Sequence, residues 1–516
     1  MSTPEAPARR TERLLSNIFH AFASRVLLLV VGLVTVPYVV NRLGLEAYAL
    51  YSMVAVVIGY LSFLDLGMGP ALVKHLSEAR ALQDDLRVMR LLQTGALVFL
   101  SAAAAGGAAI AASASLLART IVQVSPALAE AAPTVFRLAG VSFALAMLLN
   151  GLLSIPQACQ RLDIVARFTF VLGLLAMVTP VVLLWAGQSL ITLVVGGLGV
   201  SLLGVVYLAA LARRLLPGHS MRPRFHGEEA RALVKFGSAT LLGSIAAQTT
   251  LQVDKLVIGA CLPMSGLSYY AVPYNLAAKF LMVPQAVGPA LFPAVSEEAA
   301  TGAEERIRSL YLRTMKVLLA CILPLAALFL VYGPKFLAYW VGRDFAVQGG
   351  DCLRILTLAF LVMVMTQPAG DVARGIGKPG LGALLAAIDA VLVVGLCVLF
   401  VPRSGIQGAA FALLLGTAGG SLLFVFLVQR NMLRLGTWEV FRCCCWQPLL
   451  SAAAYAALLL LCDPVVNGLP SLCAVGGIAT LAYAVAVVYV VLSPWEREAL
   501  RSWAGRRRST PGAKAA

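Results

Sequence analysis

Charge is scarce in this chain. Only 12% of its 516 residues are Asp, Glu, Lys or Arg, against about 25% in a typical soluble domain. With 60% hydrophobic residues and a mean hydropathy of +0.88, that shortage excludes a water-soluble enzyme and a disordered chain. Long polar segments are lacking too: no connection between apolar runs exceeds about 20 residues, which leaves no room for an extramembrane catalytic or ligand-binding domain. No Walker loop is present, so nothing suggests ATP hydrolysis by this chain. The four histidines, His20, His75, His219 and His226, are scattered near polar segments without ligand spacing and read as solvent-facing. No pair among the ten cysteines has metal-site spacing, and the triplet Cys443, Cys444, Cys445 reads as small apolar filler at the membrane interface. No metal and no cofactor is expected.

What the chain has in abundance is long apolar runs. A helix of about 20 apolar residues crosses a bilayer core, and fourteen stretches qualify: 18–40, 47–73, 91–117, 135–157, 164–186, 189–211, 232–258, 267–294, 314–332, 352–373, 379–401, 406–429, 447–462 and 470–492. Runs such as Val26 to Val31 do not alternate as barrel strands would, so the expected fold is an all-α polytopic membrane protein. Residues 1–17 are polar, carry Arg9, Arg10 and Arg13, and lead into the first stretch without a small-residue cleavage site; an uncleaved first helix is expected.

The 40 Lys and Arg against 24 Asp and Glu give a formal charge of +16. If the amino terminus is cytoplasmic, 27 basic residues fall on that side, 5 on the other (Arg42, Arg119, Lys335, Arg343, Arg403) and 8 within spans. This bias follows the positive-inside rule with both termini cytoplasmic. The basic balance is therefore topological, and a nucleic-acid partner has no support. Arg506, Arg507 and Arg508 belong to a solvated tail within reach of anionic lipid.

The two halves resemble one another. Gly69-Pro70-Ala71-Leu72 with Ser77-Glu78 recurs as Gly288-Pro289-Ala290-Leu291 with Ser296-Glu297, and Gly44-Leu45 with Tyr48 and Tyr51 is answered by Gly266-Leu267 with Tyr270 and Tyr274. Each copy sits on an equivalent span, so the halves run in the same direction, as in transporters that rock one bundle against another. The expected organisation is an N-terminal tail (1–17), a six-helix bundle (18–211), a cytoplasmic linker (212–231) with two prolines and five arginines, a second six-helix bundle (232–429), two additional helices (430–492) and a basic tail (493–516).

Charges inside spans are costly, about 2.5–3.5 kcal/mol each even on insertion scales, and so mark interiors or aqueous cavities. Arg137, Arg167, Lys235, Lys316 and Arg354 lie near span ends, where long side chains snorkel to headgroups. Arg25 and Lys279 lie deeper and are the candidate cavity cations. Among the acids, Asp65 lies in span 2, Asp254 beside Lys255 in span 7, Asp371 near Arg374 in span 10 and Asp389 in the middle of span 11. Asp389, Asp254 and Asp371 are candidates for proton or cation coupling; a fixed ion pair or polar helix contact is the alternative for each. Asp254 and Lys255, adjacent in sequence, need not pair with each other, and an interfacial anchor would also explain them. Gln248, Thr249, Thr250, Gln252, Asn150, Tyr274 and Asn275 are polar enough to line a sugar-compatible cavity, or to hold helices together. Leu66-Gly67-Met68-Gly69-Pro70 is expected to interrupt span 2, and Pro284, Pro289 and Pro293 span 8.

The stretch Asn41-Arg42-Leu43-Gly44-Leu45-Glu46-Ala47-Tyr48-Ala49-Leu50-Tyr51, then Phe63-Leu64-Asp65-Leu66-Gly67-Met68-Gly69, resembles the bacterial polysaccharide-unit flippases of the multidrug/oligosaccharidyl-lipid/polysaccharide exporter superfamily. Asp254-Lys255-Leu256-Val257-Ile258-Gly259, with Tyr270, Phe292-Pro293 and Ser296-Glu297, is similar to the same family over about the first 430 residues. The resemblance implies a MATE-like fold of two six-helix bundles around a V-shaped cavity, with two C-terminal helices. It also implies movement of an undecaprenyl-pyrophosphate-linked oligosaccharide across a bacterial inner membrane by alternating access, for exopolysaccharide, O-antigen or capsule synthesis. H+ or Na+ is the implied coupling ion, with membrane lipids, a polysaccharide polymerase and export machinery as partners. Arg25, Lys279, Asp65 and Asn275 are the cavity residues expected to meet the substrate. A cation-coupled multidrug exporter of the same fold is the first alternative, and a membrane glycan polymerase the second.

Overall fold

A computed structural model describes residues 27–65, 67–118, 126, 128–491 and 497. Arg25, the polar amino terminus, Arg119 and the basic tail with Arg506 to Arg508 lie outside the described residues. The described chain is helical throughout, without a β-strand. Its helices are α1 (Leu27–Leu43), α2 (Leu45–Leu61), α3 (Met68–Ala81), α4 (Asp85–Leu116), α5 (Ala131–Ala158), α6 (Leu162–Trp185), α7 (Leu190–Leu215), α8 (Gly227–Cys261), α9 (Met264–Ala277), α10 (Met282–Ala300), α11 (Glu304–Trp340), α12 (Arg343–Gly375), α13 (Pro379–Leu427), α14 (Thr437–Val440), α15 (Trp446–Leu461) and α16 (Leu469–Ala486).

Among the described residues, eleven helical segments are long and apolar enough to cross a membrane. One of them, Gly380–Met432, spans 53 residues, about 80 Å at 1.5 Å per residue and far more than a 30 Å core requires. It is bent at Gly405, whose φ of 59° and ψ of −140° lie outside the helical region. That backbone is open to glycine at little cost, and it divides α13 into two arms that match the predicted spans 379–401 and 406–429. Two further helices match predicted spans without joining the eleven: α1, which is short, and α8, whose 35 residues include Glu228, Glu229, Lys235, Asp254 and Lys255. The count is compatible with fourteen crossings.

Local breaks have local causes. Asp84 caps α4 by accepting a 2.9 Å hydrogen bond from the Arg87 N–H. Span 2 is interrupted where the sequence places its glycines: the 3-10 turn Ser62–Asp65 ends at Gly67, which is left-handed at φ 69°, and α3 starts at Met68. The second expected interruption lies elsewhere. α10 runs unbroken through Pro284 and Pro293, and the break is the 3-10 turn Ala278–Leu281 before them. Pro284 sits in the first turn of α10, where a missing N–H costs little. The gap left between the expected spans 314–332 and 352–373 is also mostly helix, because α11 and α12 extend to Trp340 and from Arg343.

The described residues form two compact units. The first comprises those up to Leu276 together with Gly380–Gly420; the second comprises Ala277–Pro379 and those from Ser421 onward. In the first, α3 packs on α4 and α5, and α4 lies along α5. Met68, Leu72, Leu76, Leu91, Leu92, Phe99 and Ile155 form the buried core there. α4 and α5 approach so closely that a Cβ on Gly140 would lie 2.5 Å from the Gly107 carbonyl oxygen, the small-residue contact that substitutes for hydrophobic driving force within lipid. The same trio recurs in the second unit, where α10 packs on α11 and α12, and α11 lies along α12. The repeated glycines occupy matching places: a Cβ on Gly69 would face Ser154 Oγ of α5 at 3.7 Å, and one on Gly288 would face Asp371 Oδ2 of α12 at 3.2 Å. The internal repeat of the sequence is thus a repeat of packing.

The helices beyond the repeat dock on α11 in the second unit. The Tyr332 hydroxyl donates to the Leu459 carbonyl, Tyr483 to that of Ala320 at 3.0 Å, and Lys335 pairs with Asp463 at 2.7 Å. In the first unit, the connection after α7 lies against α4. The Arg224 N–H donates to the Gln93 carbonyl at 3.3 Å, and His226 Nε2 lies 2.8 Å from Gln93 Oε1. Together with His75 beside Glu78 and His219 beside Asp85, this corrects the expectation of solvent-facing histidines. Each described histidine is partly buried and has a polar neighbour beside one ring nitrogen.

Candidate functional site

The charged residues of the spans fall into three settings. The most enclosed is in the first unit, on α8 and α9. Asp254 is completely buried and Lys255 is 5% exposed. Adjacency left their pairing open, and they pair: Lys255 Nζ donates to Asp254 Oδ1 at 3.1 Å and to the Leu251 carbonyl one turn back. The other carboxylate oxygen accepts from the Tyr270 hydroxyl at 2.6 Å. The Tyr274 ring lies under the ammonium, 3.3 Å from Nζ to its centroid, while its hydroxyl donates to the Leu251 carbonyl at 2.9 Å. Apolar surroundings favour this closure, because a charge separated from its partner there would carry its desolvation cost alone. An interfacial anchor is ruled out by the burial. Tyr270 and Tyr274, one turn apart on α9, complete the site, and their i, i+4 spacing was its available sequence signal.

The second setting clamps carboxylates to backbone or to a neighbouring cation. Asp389, 7% exposed on the first arm of α13, accepts from the Gly420 N–H on the second arm at 2.9 Å. A Cβ at position 420 would lie 2.4 Å from that carboxylate, so only glycine fits. Asp65, half-buried, accepts from the Gly67 N–H at 2.8 Å and shapes the break in span 2. In the second unit, Asp371 is buried and bonded to Arg374 one turn on, beside Gly288.

The third setting is exposure. Lys279 stands in the 3-10 turn Ala278–Leu281, fifteen residues after the start of α9 and twenty-one before the end of α10. It is exposed, and among the described residues no carboxylate or hydrogen-bond acceptor engages it. Asn275 is likewise exposed. Polar Gln252 of α8 lies against α2, its Nε2 2.8 Å from where a Cβ on Gly59 would stand. The described groups contain no cluster of His, Cys, Asp and Glu able to hold a metal ion.

Residues 39–347, more than half of the chain, match the family described as polysaccharide biosynthesis protein. The chain belongs to that family. This is the relationship the motifs around Gly44 and Asp254 indicate, and with eleven described segments long and apolar enough to span a bilayer the chain is a multi-pass membrane protein. This family member is 22% identical over 200 residues to a putative O-antigen transporter of Shigella flexneri, covering 39% of the chain and 47% of that protein. It is 25% identical over 245 residues to the probable low-salt glycan biosynthesis flippase Agl15 of Haloferax volcanii, covering 46% and 51%. The chain thus spans about half the length of these two relatives. Among solved structures, the lipid II flippase MurJ in an inward closed conformation superimposes with a TM-score of 0.70 at 14% identity, covering 90% of this chain and 97% of that one. An inward-facing multidrug resistance MATE transporter gives 0.69 at 13% identity, covering 78% and 94%. The fold is therefore MATE-like and MurJ-like.

Proposed function

We propose that this protein moves an undecaprenyl-pyrophosphate-linked oligosaccharide from the cytoplasmic to the periplasmic leaflet of a bacterial inner membrane by alternating access, coupled to a proton or sodium gradient. The observation that carries this reading is Lys279: a cation in mid-span, exposed and without a partner among the described residues. Such a group is too costly to face lipid and marks an aqueous path. A pyrophosphate-sugar headgroup is anionic and hydrated, so crossing an apolar core requires replacement of both water and counter-charge; an ammonium with three donors supplies part of each. The lipid tail stays in the bilayer. Arg25, outside the described residues, supplies a second cation, and Asp65 and Asn275 offer polar groups to the sugar.

Relatives named as O-antigen transporter, glycan biosynthesis flippase and lipid II flippase support this class of cargo. In this reading residues 18–211 and 232–429 act as the two six-helix halves, both termini are cytoplasmic, and a polymerase with export machinery consumes the product. Asp389, Asp254 and Asp371 are the coupling candidates. A cation-coupled drug exporter of the same fold is the second reading, and the charge of the cargo separates the two: Lys279 suits an anionic headgroup and opposes a cationic drug. No catalytic group is assigned.

Complementation of a strain lacking its polysaccharide-unit flippase tests the reading. Lys279→Ala should lower surface glycan about tenfold at equal membrane abundance, the loss of one charge-assisted contact, while Lys279→Arg retains most export. Full export by Lys279→Ala would contradict the role given to this residue.

A further inference from the structure

α6 is the least covered of the long spans among the described residues and α7 is little more covered: the apolar windows of Leu162–Trp185 and Leu190–Leu215 are only 11% and 22% buried. Between them runs a groove of about 280 Å³ lined by Phe168, Val171, Leu175, Leu203 and Tyr207, with Arg167 as its one charged residue. Its depth is set by Gly204, where a Cβ would come within 3.0 Å of Leu172 and 3.1 Å of Leu149. One wall is the parallel stack of Phe168 on Tyr207, centroids 5.7 Å apart and planes 4° from parallel. Arg167 lies five residues into α6, about 8 Å from its start at 1.5 Å per residue. It is exposed, and no acceptor among the described residues engages it, whereas nearby Arg161 is held by both oxygens of Asp163 at 3.0 Å. Arg213 and Arg214 close α7 at its own end, on the side that the distribution of basic residues makes cytoplasmic.

We propose that this groove binds an anionic phospholipid of the cytoplasmic leaflet, with its acyl chain along the apolar walls and its phosphate on Arg167. Charge complementarity selects the occupant. A guanidinium without a carboxylate, at the mouth of an apolar channel on lipid-facing helices, meets a phosphodiester with two donors in a fixed fork. Tyr207 gives the boundary an amphipathic ring of the kind enriched at headgroup depth. Phosphatidylethanolamine brings its own ammonium to the phosphate and gains less from the site; phosphatidylglycerol, with net negative charge, gains the full interaction.

The test is native mass spectrometry of the full chain in mild detergent with equimolar phosphatidylglycerol and phosphatidylethanolamine. Arg167→Gln should lower the bound ratio of the two lipids about fivefold, the effect of one cation near a headgroup. Arg403→Gln, which removes an exposed arginine on another helix, should leave the ratio unchanged. Filling the groove with Val171→Trp and Leu203→Trp, both exposed positions, should remove one bound lipid. An unchanged ratio in Arg167→Gln overturns the proposal, as does an equal fall in Arg403→Gln. So does displacement of phosphatidylglycerol from the wild type by undecaprenyl phosphate at lower concentration than phosphatidylglycerol itself, which would assign the groove to a polyprenyl carrier. If the filled variant is not monodisperse, the two arginine variants decide the matter alone.

Discussion

Asp254→Ala is expected to destabilise the protein by about 3–5 kcal/mol, because it leaves the Lys255 ammonium buried without its carboxylate. The pair is closed on every side described above: one oxygen on Nζ, the other on the Tyr270 hydroxyl, and the Tyr274 ring under the cation. Removing the carboxylate takes the counter-charge from the ammonium and an acceptor from the Tyr270 hydroxyl. The double substitution Asp254→Leu with Lys255→Met removes both charges at similar volume, and replacement of a buried pair by apolar groups is frequently neutral or stabilising. Thermal stability followed by size-exclusion chromatography should therefore fall steeply for the single variant and recover for the double. A single variant as stable as the wild type would show that the ammonium is not enclosed by this cluster. Export by the stable double variant then separates scaffold from coupling: loss of export at normal abundance places the pair in the transport cycle, and normal export removes Asp254 from the coupling candidates.

Asp389→Asn is the second large effect. Asparagine keeps an oxygen for the Gly420 N–H, so the link between the two arms of α13 survives while the charge is lost. If Asp389 takes up and releases the coupling ion, gradient-driven transport in vesicles should fall at least tenfold with abundance unchanged, since an ion-binding step without its charge loses more than about 1.4 kcal/mol. Asp389→Ala should lose stability as well, because it also leaves the Gly420 N–H without that acceptor. Normal gradient-driven transport by Asp389→Asn, with instability confined to Asp389→Ala, would make this carboxylate a structural clamp and remove it from the coupling mechanism.

The fold was legible because the bilayer imposes a coarse rule. A crossing helix needs about 20 apolar residues, and the chain writes those runs plainly enough that even the bend at Gly405 falls between two predicted spans. The repeat was legible for a related reason: Gly69 and Gly288 occupy matching places against α5 and α12, where a Cβ would meet Ser154 in ordinary contact at 3.7 Å and Asp371 more tightly at 3.2 Å. The site was less legible. Asp254 and Lys255 stand out by their charge, but their pairing depends on Tyr270 and Tyr274, sixteen and nineteen residues further on. That information resides in the packing of α8 against α9, not in local spacing. The break falls at the 3-10 turn around Lys279 and not at Pro284, because a helix accepts proline in its opening turn. Asp389 was conspicuous as a mid-span acid, whereas its link to Gly420 across the bend in α13 was not.

Reconstitution into vesicles holding a fluorescent lipid-linked oligosaccharide tests transport most directly. With a gradient imposed, vesicles containing the protein should deliver inner-leaflet label to a membrane-impermeant quencher, whereas empty vesicles and those with Lys279→Ala should protect it. Equal protection with and without the wild-type protein, together with gradient-driven uptake of a cationic drug, would contradict the flippase account and favour the multidrug exporter.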